Sequence, residues 1–282
     1  MNTYLLKLRR LPILLLLIIT GCITNNDQEI FETNLVVEGV IESDGYASVF
    51  ITKTIPLSTH INDSTIFNSV VRNAKVTISC EDKCETLIGV PYPVYPWFKY
   101  IGNEIKGEEG KTYKLEIIFQ QYHLQATTFI PYKVKIDTLF TRPDKREDFV
   151  SLFIQFTDPP TSGNFYKLYT HTSQEFSFLP SLLGNLSDEP FNGKQTEFLI
   201  NKGVKSYPLT NYEISFSKND TIQVKLSSVS EPVFNFWNAY ENELMNGMNV
   251  FFPAISNLPG NINGALGIWS GESVSYSIYL PQ

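Results

Sequence analysis

Alternation of apolar and polar residues over short stretches, closed by Gly or Pro, restricts this chain to β structure. Val76, Ile78 and Cys80 alternate with polar neighbours, as do Tyr113, Leu115 and Ile117 with Thr112, Lys114 and Glu116, and Val150, Leu152, Ile154 and Phe156 recur at the same period. A strand turns successive side chains to opposite faces, so a period of two marks one buried face. The 20 Phe and 15 Tyr suit that geometry, because rings pack well on a pleated surface. Helical spacing stands out only over 231–246. There Val233, Phe236, Trp237, Tyr240 and Leu244 share one stripe, with Ser230 placed as a cap, Pro232 in the first turn and Gly247 at the end. The stripe reads as core packing.

Turn signals divide the body in two. Strands are expected over 34–42 and 46–54, flanking Ser43-Asp44-Gly45, where Gly45 would supply a positive φ. Further strands are expected over 70–80, 112–117 and 125–130, the last closed by Pro131. The Gly110 turn feeding an inward Tyr113 resembles the tyrosine corner of immunoglobulin-like sandwiches. The fold class is thus mainly β: an immunoglobulin-like β-sandwich over 34–132, then a β-rich domain over 133–282 carrying the amphipathic helix. In the second half, strands are expected over 165–172, 197–202, 221–229 and 273–280. Cys80 and Cys84 bracket Glu81-Asp82-Lys83 and are candidate disulfide partners across a three-residue turn, with two reduced thiols as the alternative.

The N-terminus has the layout of an export signal. Lys7, Arg9 and Arg10 precede an apolar run over 11–19, which as a helix would span roughly 14 Å, about half of a ~30 Å hydrocarbon core. Ile19-Thr20-Gly21-Cys22 then resembles a lipobox, so 1–21 are expected to be removed and Cys22 to carry diacylglycerol and palmitate-type chains. Two or more chains hold a protein stably where one does not. Residues 22–33 read as a polar tether, its 11 residues after Cys22 reaching about 36 Å when extended. Loss of three basic residues from 22 leaves 19 Lys+Arg against 29 Asp+Glu, a charge of −10. An acidic chain without a basic cluster argues against nucleic acid.

Motifs that carry chemistry are absent. His60, His123 and His171 are far apart, and no HExxH, paired His, P-loop, dinucleotide fingerprint or G-x-S-x-G occurs, so no metal, cofactor or catalytic residue is expected. Asp144, Glu147 and Asp148 read as a solvated turn. The unusual stretch is Pro91-Tyr92-Pro93-Val94-Tyr95-Pro96-Trp97-Phe98. Alternating Pro disfavours ladder hydrogen bonds, which makes Tyr92, Tyr95, Trp97 and Phe98 a candidate aromatic binding loop; the alternative is that the rings fold back over the core. Asp63-Ser64-Thr65, Asp137-Thr138-Leu139 and Asp220-Thr221-Ile222 resemble the O-glycosylation pattern of exported Bacteroidota proteins.

The order of motifs resembles a family of Bacteroidota lipoproteins known as domain of unknown function 4249. The matching pieces are Leu35-Val36-Val37-Glu38-Gly39, Asn73-Ala74-Lys75-Val76, Gly110-Lys111-Thr112-Tyr113-Lys114-Leu115, Ala126 with Ile130-Pro131, Asp158-Pro159-Pro160, Phe191-Asn192-Gly193-Lys194 and Asn261-Ile262-Asn263-Gly264-Ala265-Leu266-Gly267-Ile268-Trp269. The resemblance implies an outer-membrane lipoprotein, often found with TonB-dependent receptors, and no assigned catalytic residues. The expected function is an accessory lipoprotein that binds a glycan, peptide or protein partner at the periplasmic or cell-surface face. A structural or adhesin subunit is the alternative, and a cell-envelope hydrolase the third reading.

Overall fold

The computed structural model describes residues 33–56, 58–204, 212–246 and 258–281. The signal segment 1–21, Cys22 and the tether as far as residue 32 lie outside the described residues, as does Gly247. In the first half the strands are β1 (Leu35–Glu42), β2 (Tyr46–Lys53), β3 (Lys75–Cys80), β4 (Lys83–Thr86), β5 (Ile88–Pro91), β6 (Phe98–Lys106), β7 (Thr112–Phe119) and β8 (Tyr122–Phe129). A short helix α1 (Asp63–Ser69) lies between β2 and β3, its start capped by the Asn62 side chain, which accepts the Thr65 N–H at 2.9 Å. Then come β9 (Ile136–Pro143), β10 (Phe149–Thr157), β11 (Phe165–His171), β12 (Leu179–Ser187), β13 (Gln195–Ile200), β14 (Phe216–Ser217), β15 (Ile222–Val229), α2 (Glu231–Asn246) and β16 (Leu266–Tyr279).

The fold is mainly β, as the alternation requires. An eight-stranded sheet has the order β12-β11-β15-β16-β1-β2-β6-β5, and two four-stranded sheets cover it, one ordered β4-β3-β7-β8, the other built around β10 with β9, β13 and β14. The expected boundary between residues 132 and 133 falls between β8 and β9, and the large sheet draws strands from both sides of it. Its centre is the parallel pairing of β1 with β16, running from Val36 opposite Leu266 to Glu42 opposite Glu272. One face of the sheet serves two cores. Val37, Ile41, Val49 and Ile51 pack with Val76, Ile78, Leu115 and Ile117; Leu168, Val224 and Leu226 pack with Leu152, Ile154 and Phe156. The arrangement is sandwich-like, with one sheet common to both layers.

The β1–β16 seam explains the first and last of the family motifs. Trp269 is fully buried and its Nε1–H donates to the Tyr113 carbonyl at 3.1 Å, linking the central sheet to β7. Gly39 makes room for that ring, since a Cβ there would lie 2.7 Å from Trp269 Cε3. Gly267 has φ +111°, and a Cβ would meet the Val37 carbonyl oxygen at 1.9 Å. Asn261 mimics a neighbouring strand: its Oδ1 accepts the Trp269 N–H and its Nδ2 donates to the Trp269 carbonyl, both at 2.8 Å. The middle motifs pair likewise. Asp158 donates its N–H to the Lys194 carbonyl, accepts the Gly193 N–H at 2.9 Å, and accepts the Tyr166 hydroxyl. Tyr113 is buried, and its hydroxyl accepts the Glu108 N–H at 2.8 Å and donates to the Lys106 carbonyl at 3.1 Å.

Several local expectations change. Asp44, not Gly45, takes the positive φ of the first turn, at +63°; aspartate tolerates the left-handed region better than most residues. The β3–β4 turn has two residues, Glu81 and Asp82, rather than three. That register sets Cys80 opposite Lys83 and Cys84 opposite Ser79, so the two thiols point to opposite faces, and both are free. The expected bridge between Cys80 and Cys84 is therefore not formed. The alternation over 273–280 is the second half of a much longer β16, whose first half has both faces covered and so shows no period of two.

Truncating Trp269 to Ala should cost about 3–5 kcal/mol, read as a lower urea midpoint. Gly267→Ala should break the β1–β16 pairing and lower the midpoint further than Gly45→Ala, where a Cβ finds ordinary contacts at 3.4 Å. In the native protein, Cys84 should react with a thiol reagent and Cys80 only after unfolding; protection of both, released by reductant, would restore the bridge.

Candidate functional site: a cavity on the second face of the central sheet

The face of the large sheet turned away from the two cores carries charge. Registers bring Lys167 opposite Ser227, Tyr169 opposite Lys225, and Lys225 opposite Tyr276. Glu42 lies opposite Glu272, and Glu38 is flanked by Phe50 on β2 and Ile268 on β16. Helix α2 crosses this face: Val233 and Phe236 pack with Val229 and Ile268, which meets the core-packing expectation for that part of the stripe. Trp237 packs against the same cluster and also helps to wall a cavity of about 350 Å³, which Phe178, Tyr92, Glu38, Glu42 and Glu272 line as well.

Most of the charge is matched internally. Glu272 is buried; its Oε1 accepts the hydroxyls of Tyr169 at 2.9 Å and Ser270 at 3.0 Å, and its Oε2 accepts the Ser227 hydroxyl at 2.7 Å. Burial pushes the Glu272 carboxyl up, but the Lys225 charge and the Ser227 and Tyr169 hydroxyls outweigh it, leaving the group below the usual carboxylate range. Lys225 Nζ lies 2.6 Å from Glu42 Oε1, 3.6 Å from Glu272 Oε2 and 3.8 Å above the Tyr169 ring. The Tyr276 hydroxyl donates to Glu42 Oε2 at 2.8 Å. Burial first, then Glu272, holds the Tyr169 phenol well above its usual value.

Glu38 differs. Its side chain is open to the cavity and makes no hydrogen bond with any described residue, yet protein surrounds the concavity in which it sits. That desolvation pushes its carboxyl above the usual range, against an opposing pull from Lys167. Lys167 faces a smaller adjoining cavity of about 110 Å³ with Tyr240 and Glu241. Its Nζ lies 3.8 Å above the Trp237 ring and 3.4 Å from Asn185 Oδ1. Burial pushes the ammonium down to about 7, with Glu272 and Glu241 opposing. Glu241 is itself held by the Asn185 amide at 2.9 Å and by the Leu183 N–H.

Of the four rings expected to form a binding loop, the structure brings only Tyr92 to this cavity. Its ring lies 5.3 Å from Phe50 and 5.6 Å from Phe176, with Lys99 Nζ 4.7 Å above it. Tyr95 and Trp97 pack edge to face at 5.3 Å on another side, Trp97 near Phe67, while Phe98 packs on Tyr100 toward the core. Nor is the stretch an extended run. Pro91 pairs with Phe98, and the N–H groups of Tyr92 and Trp97 donate to the carbonyls of Trp97 and Val94, because each Pro sits where no donor is needed.

Sequence reasoning missed Glu38, Glu42, Lys167, Lys225 and Glu272. The available signal was charge placed centrally in strands with an apolar inner face, as in β15, where Lys225 stands between Val224 and Leu226. Among the described residues no three His, Cys, Asp or Glu side chains converge as a metal site, and no helix is long and apolar enough to cross a membrane. With its lone pairs engaged by three hydroxyls and Lys225, Glu272 orients the wall rather than attacking a substrate. Glu38 and the surrounding rings remain open to the cavity.

Fold and cavity define a mainly β, sandwich-like protein with an aromatic and carboxyl-lined cleft on its shared sheet. The chain belongs to the family described as Domain of unknown function (DUF4249), whose model matches residues 23–277. No curated protein matches it. Among solved structures it is similar to a chain of a cytokine receptor complex at 8% identity, covering 86% of this chain and 94% of that one with a TM-score of 0.26, a likeness too distant to bear on fold or function.

Stability should rise as pH goes from about 7 toward 10.5. In that window the unfolded chain still holds the Lys167 proton that the folded chain has released, whereas below 7 both states hold it and the full burial cost remains. Lys167→Met should flatten this rise, at about 1.4 kcal/mol per pKa unit removed. Urea midpoints between about pH 7 and 9.5 measure it, and parallel profiles would show that the buried amine keeps its proton.

Proposed function

We propose that this protein is a lipid-anchored binding protein of the outer membrane, which captures a small ligand or a ligand side chain in the cavity under α2 and works beside a TonB-dependent receptor. The observation that carries the binding role is the cavity: about 350 Å³, walled by Phe50, Tyr92, Phe178 and Trp237, with one carboxyl, Glu38, that accepts no hydrogen bond from any described residue. Apolar walls with a few directed polar groups are the usual form of a ligand site. The anchor at Cys22, the tether and the outer-membrane address rest on the N-terminal sequence, and the receptor partnership on the family resemblance. The ligand classes that suit ring walls are glycans and peptides.

A hydrolase is the second reading, favoured by one observation: Glu38 and Glu272 line the same cavity and their carboxyls are displaced in opposite directions. The saturation of Glu272 weighs against it. For the leading reading, a tagged chain should take up a palmitate label and co-purify a TonB-dependent receptor from solubilised membranes. Cys22→Ala should lose the label and leave the membrane fraction. Label persisting in that variant would overturn the anchor, and a pull-down free of receptor would overturn the partnership.

A further inference from the structure

We propose that the cavity under α2 binds an organic cation, a primary ammonium or guanidinium group, through the Glu38 carboxyl and the neighbouring rings. The inference rests on the cavity being a ligand site and names the chemistry of its ligand.

The first argument is charge matching. Glu42 is held by Lys225 at 2.6 Å and the Tyr276 hydroxyl at 2.8 Å, and Glu272 by three hydroxyls with Lys225 at 3.6 Å. Lys225 is in turn shared between those two carboxylates. Lys167 makes no ion pair with Glu38 and opens to the adjoining cavity. Glu38 is thus the one carboxyl of this wall that accepts no hydrogen bond from any described residue, and it stands exposed within the cavity beside rings, where an incoming cation can reach it.

The second argument is the balance of donors and acceptors. Tyr169, Tyr276 and Ser270 all spend their hydroxyl protons on Glu42 and Glu272, so they have none to offer a ligand. Ser48 and Ser177 on the wall can serve either way. A neutral sugar asks for donors and acceptors in comparable number, whereas ammonium and guanidinium groups only donate. Glu38 only accepts when ionised, and binding a cation favours that form.

The third argument is the rings. Phe50 stands directly beside Glu38 in register, with Tyr92 at 5.3 Å from it. The chain's own cations already use this surface: Lys225 lies 3.8 Å above Tyr169, Lys167 3.8 Å above Trp237 and Lys99 4.7 Å above Tyr92. Ring faces attract cations most strongly where water is excluded. A volume of about 350 Å³ suits a single side chain or a small amine rather than a length of polymer.

The test is titration of the folded chain with Nα-acetyl-arginine amide and Nα-acetyl-lysine amide, set against Nα-acetyl-norleucine amide and a neutral oligosaccharide. The two cationic probes should bind, the norleucine probe should not, and Glu38→Gln should weaken binding at least about tenfold. Phe50→Leu, which keeps an apolar side chain in the strand, should weaken the same probes, and unfolding midpoints establish that both variants fold. Equal binding of the neutral and cationic probes, or an unchanged affinity in Glu38→Gln, would overturn the cation while leaving the cavity a ligand site. Binding of none of the probes would overturn both.

Discussion

Parallel pairing of β1 with β16 is the constraint on which the rest of the structure depends. It joins the first described strand to the last, Val36 to Leu266, and so closes the longest loop in the fold. Loop closure grows costly only slowly with length, but the cost must be met before such distant contacts form, so the seam needs strong local reward. Trp269 supplies much of it, with a fully buried ring, an indole donor reaching across to β7, and a glycine opposite that lets the ring sit against the backbone. With the seam made, β2 and β15 extend the sheet on either side, and each half of the chain has a layer to pack against.

The same seam creates the charged face. Glu42 and Glu272 become neighbours because β1 and β16 run side by side, and Lys225 can serve both because β15 lies next to β16. Two like charges at that spacing would repel if left alone. A single ammonium, four hydroxyls and a tyrosine ring under the lysine offset the cost of removing them from water. The network orients side chains more than it adds stability, since buried ion pairs contribute little net free energy. Its geometry leaves Glu38 as the carboxyl of this wall that no described residue hydrogen-bonds.

The family motifs mark contacts rather than chemistry. The first strand and the C-terminal segment meet at Gly39, Gly267 and Trp269, and Asp158 meets the turn at Gly193. Each pair joins segments distant in sequence, where a tight approach of backbones admits only one or two residue types. Beside those landmarks, Glu38 and Glu42 on β1 and Ile268 and Glu272 on β16 take the alternate positions that face the cavity.

The class of fold was legible in the sequence because alternation is a property of residues two apart, and the helix because its stripe repeats within a few turns. The tie at Tyr113 was visible for the same reason, its partners lying five and seven residues upstream. What the chain alone could not reveal is which strands become neighbours. A central Lys225 or Glu272 reads as an isolated polar residue until β15, β16 and β1 stand together; only then do they become a wall. The aromatic run 91–98 erred the other way, since its composition stands out locally but its turn sends one ring to the cavity and the rest elsewhere. Local chemistry determined the β scaffold; the long-range pairing of β1 with β16 decided where the cavity lies, because a cavity belongs to a set of neighbours and no stretch of sequence contains that set.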